Sequence, residues 1–235
     1  MRPLHRSAAI AVLMLGLAGC ATTGSDGANR SAESYESLMR VAAASREAGD
    51  RAAAANLYRK ARDLRPDQVE PWLALGSIGW EADAAAASLE AYEGALRLDP
   101  RNPQALVGKG RALLALDRPA AAVDSFRAAV AAAPGDARTH GGLGVALDLA
   151  GDHAGAVQAF EAGLRLAPDD LTLRANLGHA LALRGAYDRA LPLLEAVAAD
   201  PRATDRHRAN LEHARELARR AQPGGTAGRA GFIQG

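Results

Sequence analysis

The chain has 235 residues, with 28 Lys and Arg against 27 Asp and Glu and a formal net charge of +1. Hydrophobic residues make up 49% of it but aromatics only 4%, so alanine carries much of the apolar content, which favours closely packed helices. Charges of both signs are interspersed, and there is neither the basic face nor the base-stacking aromatics that nucleic-acid binding requires, so no nucleic-acid partner is expected.

The first element is residues 1–19, "MRPLHRSAAIAVLMLGLAG". Arg2 and Arg6 precede an apolar run from Ala8 to Gly19. As a helix that run is roughly 18 Å long, too short for a hydrocarbon core of about 30 Å. A charged start, a short apolar middle and small residues at the end predict a cleaved secretory signal. The next residue, Cys20, is the only cysteine, so no internal disulfide is available to it. Leu17-Ala18-Gly19-Cys20 resembles the lipobox of bacterial lipoproteins. That resemblance implies lipid on the Cys20 sulfur and a mature chain beginning there. Several acyl chains, each CH₂ contributing about 0.8 kcal/mol, hold a protein stably on a membrane. Ala21 rather than Asp at the following position resembles lipoproteins sorted to the outer membrane, with the protein on its periplasmic side.

Residues 20–33 are then expected to be the lipidated cysteine and a flexible tether, because "ATTGSDGANRSA" is small, polar and without periodicity. At the far end, 222–235 is Gly-rich and reads as a disordered tail. Its Phe232 and Ile233 are either a short docking motif or two chance apolar residues in a solvated tail.

Between these ends lies a repeat. Pro66, Pro100, Pro134 and Pro168 recur at one constant step along the chain. Gly76, Gly110, Gly144 and Gly178 keep the same step, as do Tyr58, Tyr92, Phe126, Phe160 and Leu194, and Ala54, Ser88, Ala122, Ala156 and Ala190. In 137–168, Asp136 is placed to N-cap a first helix, on which Leu143 and Leu147 share a face. Gly144 between them leaves room for close approach. "AGD" at 150–152 opens a turn, a second helix carries Ala156, Phe160 and Leu164, and Pro168 ends it. Asp170 and Asn102 are placed to cap the first helices of other units, Asn102 just ahead of Pro103. Such a hairpin cannot bury its apolar face alone, whereas stacked hairpins share a continuous core.

These residues resemble the tetratricopeptide repeat (TPR), most fully at Trp72, Leu75, Gly76, Tyr92, Ala95 and Pro100. The resemblance implies an all-α fold: a right-handed TPR solenoid of about five helix-turn-helix repeats plus a C-terminal capping helix, spanning 34–221. Departures fall at Lys109, Gly79, His140 and Arg174, and Pro192 inside a second helix predicts a kink or a late helix start there. The cap is expected at 204–221, with Leu211, Ala214 and Ala218 as its apolar stripe.

Chemistry is sparse. The six histidines form no HExxH pair, and "GGLG" and "GKG" lack the Lys-Ser/Thr of a phosphate loop. No catalytic residue, cofactor or metal is expected, and the sequence points away from an enzyme. In the TPR family the first helices line a concave groove that binds protein partners. Carried over unit by unit, the groove positions are Met39; Leu73, Ser77, Trp80 and Glu81; Val107, Arg111 and Leu114; Arg138, Val145 and Leu149; His179 and Leu183. This apolar strip with a few cations suits an amphipathic helix or an extended apolar peptide. Its apolar members, Leu149 and Leu183 especially, would equally serve as packing between repeats.

Residues 175–218 carry a more specific resemblance. Asp200-Pro201-Arg202-Ala203-Thr204 followed by Arg208-Ala209-Asn210-Leu211 is similar to the C-terminal region of TadD-type lipoproteins of the tight-adherence (Flp pilus) system. That family implies a pilotin-like or scaffold role in the outer membrane, with the secretin or other pilus-machine parts as partners. The alternative is a general envelope scaffold for peptidoglycan enzymes or outer-membrane assembly. For the anchor, Cys20→Ser is expected to leave an uncleaved or soluble protein without fatty-acid label. Palmitate labelling of mutant and parent side by side checks this, and equal labelling refutes it.

Overall fold

A computed structural model describes residues 23–222, with side chains from Ser34 onward. The signal peptide and Cys20 of the sequence reading lie outside the described residues, as do 223–235 with Phe232 and Ile233. Among the described residues there are eleven helices and no strand. They are α1 (Thr23–Glu47), α2 (Arg51–Leu64), α3 (Glu70–Glu81), α4 (Ala85–Leu98), α5 (Pro103–Ala115) and α6 (Pro119–Ala132). There follow α7 (Ala137–Leu149), α8 (His153–Leu166), α9 (Leu171–Leu183), α10 (Tyr187–Ala199) and α11 (Asp205–Ala221). Helix α1 starts at Thr23, so the backbone of 23–32 is helical where the sequence suggests a flexible tether. Each helix packs on its neighbours in sequence, and the first helices α3, α5, α7 and α9 also touch in succession, with α11 closing on α9 and α10. This is the five-hairpin solenoid with a cap.

Side-chain chemistry sets the helix ends. Asn102 and Asp170 accept the amides of Ala105 and Leu173 at 3.0 and 2.9 Å, and Asp136 accepts the Arg138 amide at 3.0 Å. Each satisfies an otherwise orphaned first-turn donor. The hairpin turns share one left-handed residue per unit. Gly49, Gly151 and Gly185 hold φ of 84°, 85° and 76°, while Asp83 and Asp117 take the same role at 58° and 54°. These five positions follow the same step as the proline and glycine series, and Asp tolerates a conformation that other L-residues adopt only at a cost.

The core is built on one repeated contact. A Cβ added at Gly76 would stand 2.7 Å from the Tyr92 ring, at Gly110 2.7 Å from Phe126, at Gly144 2.5 Å from Phe160, and at Gly178 2.6 Å from Leu194. In every case the glycine of the first helix admits the large side chain of the second. Tyr92 and Phe126 are held from the far side too, by Gly108 and Gly142 of the next unit, where an added Cβ would approach to 2.3 and 2.4 Å. The fourth series fits equally tight space: Ala54, Ser88, Ala122, Ala156 and Ala190 are all fully buried.

The departures from the repeat have local explanations. A Cβ at Gly79 would lie 2.8 Å from the backbone nitrogen of Ser88, so glycine lets α3 and α4 approach closely. The Ser88 hydroxyl donates to the Gly76 carbonyl at 2.8 Å across the same contact. Lys109 pairs with Glu93 at 3.1 Å, Arg174 with Asp169 at 3.1 Å, and the His140 ring bonds the Pro134 carbonyl at 3.0 Å. Helix α10 runs through Pro192 and starts at Tyr187, in register with α8 at His153, which corrects the expectation of a late start. Pro192 and Asp188, the residue whose carbonyl loses its donor, are both exposed, on the side of α10 away from the core.

The Asp200–Thr204 stretch does turn chemistry. The Asp200 carboxylate accepts the Arg202 amide at 2.8 Å and its guanidinium at 3.0 and 2.9 Å, which lowers its pKa to about 2. Thr204 then caps α11 in a capping box with His207, whose Nδ1 accepts the Thr204 amide at 3.2 Å. Leu211 and Ala214 are buried beneath α11, Ala218 half-buried, and Arg215 ties the cap to Glu195 at 2.9 Å.

At the other end, Glu81 closes α3 against the first hairpin through Arg46, and through Arg51 at 3.4 Å. The hydrogen bond from Arg46 holds the Glu81 carboxyl below its usual range. A lowered folded-state pKa gives stability that is present above the unfolded value, about 4.3, and lost as pH falls through the folded one. Glu81→Gln is therefore expected to cost under about 1 kcal/mol near neutrality, the pair being partly exposed. That deficit should vanish in acid below both values, as urea melts of both proteins across the pH range will show. For the core contact, Gly144→Leu is expected to overpack Phe160 and cost about 1–3 kcal/mol. Gly135→Leu, with nothing near its Cβ, should melt with the parent in calorimetry.

Candidate interaction surface

The first-helix face is where the groove residues fall. A cavity of about 710 Å³ opens there between α3, α5 and α7. Its floor is aromatic: Tyr92 and Phe126 project from second helices, and each packs against a glycine of the next unit, Tyr92 on Gly108 and Phe126 on Gly142. Its walls are Val107, Leu114 and Val145. Its polar groups include Arg111, Arg138, Gln104, and the hydroxyls of Ser77 and Tyr92, which lie 3.3 Å apart. An apolar pocket with a few convergent polar groups is the form in which proteins bind organic groups, including the side chains of a peptide.

Arg111 has a second role. Its guanidinium sits 4.4 Å from the centre of the Trp80 ring, one turn of solenoid away. Trp80 is 37% exposed, so cation and ring form an open platform at the cavity edge. Among the described residues no carboxylate pairs with Arg111. Arg138 stands over Asp136 at 3.5 Å and its side chain is largely exposed. Asp136 is itself braced, accepting the Thr139 hydroxyl at 3.0 Å. Burial pushes the Asp136 carboxyl up, but the Thr139 and Arg138 hydrogen bonds and the Arg138 charge outweigh it and hold it below its usual range.

Of the thirteen groove residues read from the sequence, Ser77, Val107, Arg111, Leu114, Arg138 and Val145 line the cavity. The others are placed differently. Met39 and Leu73 are half-buried and pack on the clusters around Tyr58 and Tyr92. Glu81 is engaged with Arg46 and Arg51. Leu149 is 63% exposed and is not packed between repeats, whereas Leu183 is half-buried. His179 meets a group the sequence reading does not assemble. Its Nδ1 lies 3.5 Å from Asp148 Oδ2, its Nε2 lies 3.1 Å from His213 Nδ1, and His153 Nδ1 lies 2.7 Å from Asp148 Oδ1. The signal lies in the spacing: His213 follows His179 by one full repeat, but the apolar stripe of α11 masks it. Also missed from sequence are Asp136 as a cavity residue, Thr139, Gly142, and the second-helix rings of the floor. Among the described residues no group of three or more His, Cys, Asp or Glu side chains is arranged to hold a metal, and no helix is long and apolar enough to cross a membrane.

Comparison with known proteins agrees with this architecture. One tetratricopeptide repeat model matches residues 42–103, 85–137 and 107–170, and a second matches 149–212. No curated protein matches the chain. Among solved structures, it is similar to MamA of Desulfovibrio magneticus RS-1 at 21% identity and a TM-score of 0.68, over 73% of this chain and 97% of that one. It is similar to YrrB, described as a TPR protein with an unusual peptide-binding site, at 19% identity and a TM-score of 0.68, over 84% and 100%. It is also similar to PilF of Pseudomonas aeruginosa at 21% identity and a TM-score of 0.63, over 80% and 88%. At these identities the likeness is one of fold. The family models together run through the helices from the second half of α1 into α11. The chain belongs to the tetratricopeptide repeat family.

Proposed function

We propose that this chain is a non-catalytic, lipid-anchored adaptor of the bacterial envelope, whose first-helix face captures an apolar segment of a protein partner. The observation that carries the reading is the cavity between α3, α5 and α7: aromatic floor, aliphatic walls, and the Arg111–Trp80 platform at its edge. An amphipathic helix or extended peptide would bury an apolar side chain against Tyr92 and Phe126, and Arg111 would meet its polar flank. YrrB, of similar fold, is described as binding peptide, which supports the mode. The lipobox at Leu17–Cys20 supports an anchor on the periplasmic face of the outer membrane. The likeness of 175–218 to TadD-type lipoproteins supports service to the Flp pilus machine, with its secretin or neighbouring assembly parts as partners.

The test is capture from native membranes. Trp80→Ala with Arg111→Ala removes the platform while leaving the helix-packing glycines intact. A buried aromatic anchor commonly carries about 2 kcal/mol or more of binding, so at least a roughly tenfold loss of partner is expected. The melting curve should stay close to the parent's, since neither side chain is buried. Unchanged capture would remove the first-helix face as the binding surface. Mass spectrometry of the captured protein decides the system: secretin or other pilus components support the reading, and peptidoglycan enzymes replace it with the general envelope scaffold.

A further inference from the structure

The far end of the first-helix face holds a group that capture of an apolar segment does not use. Asp148 comes from α7, His153 from α8, His179 from α9 and His213 from α11. His179 and His213 occupy the same position in successive units, one full repeat apart. No packing explains this, because both are partly or wholly open to solvent.

The hydrogen positions follow from the neighbours. A carboxylate only accepts, so Asp148 Oδ2, 3.5 Å from His179 Nδ1, favours a proton on that nitrogen. Neutral His179 then has its lone pair on Nε2, which points at His213 Nδ1 at 3.1 Å. In the isolated chain the contact closes when His213 carries its proton on Nδ1. With that proton on Nε2 instead, two lone pairs converge on one point. Asp148 is held in place from its other side by His153 Nδ1 at 2.7 Å.

A carboxylate behind a histidine whose far nitrogen carries a lone pair is the arrangement that orients a metal-binding imidazole. Two nitrogens at about 2.0–2.1 Å from a tetrahedral ion stand roughly 3.3 Å apart. The observed 3.1 Å is within a small side-chain rotation of that value, and His213 is exposed and free to make it. We propose that His179 and His213 form a two-histidine site for a divalent transition metal of the zinc type, with Asp148 orienting His179. Imidazole donors favour zinc, nickel and copper over magnesium and calcium. With two ligands from this chain, the remaining positions are open to water or to a donor from whatever occupies the face. The metal would tie α9 to α11 and so fasten the cap.

The test is calorimetric titration of the purified full chain with zinc. One ion per chain is expected for the parent, and binding at least tenfold weaker for His179→Gln and for His213→Gln. Asp148→Asn should weaken binding about 10- to 100-fold, as loss of an orienting partner does. His140→Gln, whose ring bonds the Pro134 carbonyl elsewhere, should bind as the parent does, and magnesium should give no heat. If a variant unfolds early by circular dichroism, the parent's histidine ring resonances decide: zinc should shift those of His179 and His213 and leave His140 in place. Equal zinc binding by parent and folded variants, or unshifted rings, would overturn the site and leave the pair as a hydrogen bond between two imidazoles.

Discussion

The solenoid depends on a missing side chain. At one point in each of four units, the first helix presents a glycine and the second helix fills the vacancy with a ring or, in the last unit, a leucine. The contact fixes how close the two helices stand and which way the second faces. Tyr92 and Phe126 each press on a second glycine in the following unit, so the same side chains also set the step from hairpin to hairpin. Buried rings in notches too small for a methyl group leave little freedom in either spacing, because interiors are packed to crystal-like density. The fully buried small residues of the Ala54 series do the corresponding work from the second helices.

That contact is also why the fold is legible from the sequence. A geometry that recurs once per unit demands the same residue size at the same place in each unit, and the Gly, aromatic and Ala series record that demand directly. The caps are legible for a similar reason: Asn102, Asp136 and Asp170 each sit just before a periodic run. Helix α1 is less legible, because the small polar residues after Cys20 carry no periodicity and yet the backbone from Thr23 is helical. Pro192 misleads in the opposite direction. It breaks one hydrogen bond on the water-facing side of α10, while Leu194 and Val197 on the other side hold the helix to the core.

The interaction surface is half legible, and the division has a physical cause. Positions on the first helices can be counted off from the repeat, which finds the cavity walls at Val107, Leu114 and Val145. The floor cannot be counted that way, because Tyr92 and Phe126 belong to the second helices and look like core in any one unit. They line the cavity from beneath, each resting on a glycine of the next unit, Gly108 or Gly142; the equivalent positions in neighbouring units are Ala74 and Asn176. The aromatic floor therefore goes with two glycines, in successive units, that lie outside the structural glycine series.

The same reasoning separates what the repeat requires from what it merely permits. Gly76, Gly110, Gly144 and Gly178 are required, since a larger residue at any of them displaces a buried side chain. Trp80 and Arg111 stand outside that series: they stack on each other across the gap between units, with part of the ring left open. Nor does packing call for Asp148, His179 and His213, which lie on three different first-type helices and meet only because the units are stacked. A solenoid brings such residues together at no cost to its core, because each unit keeps its own notch and wedge. Both groups lie on the one face where side chains of neighbouring units converge without having to fill a core, one at the cavity and one toward the cap.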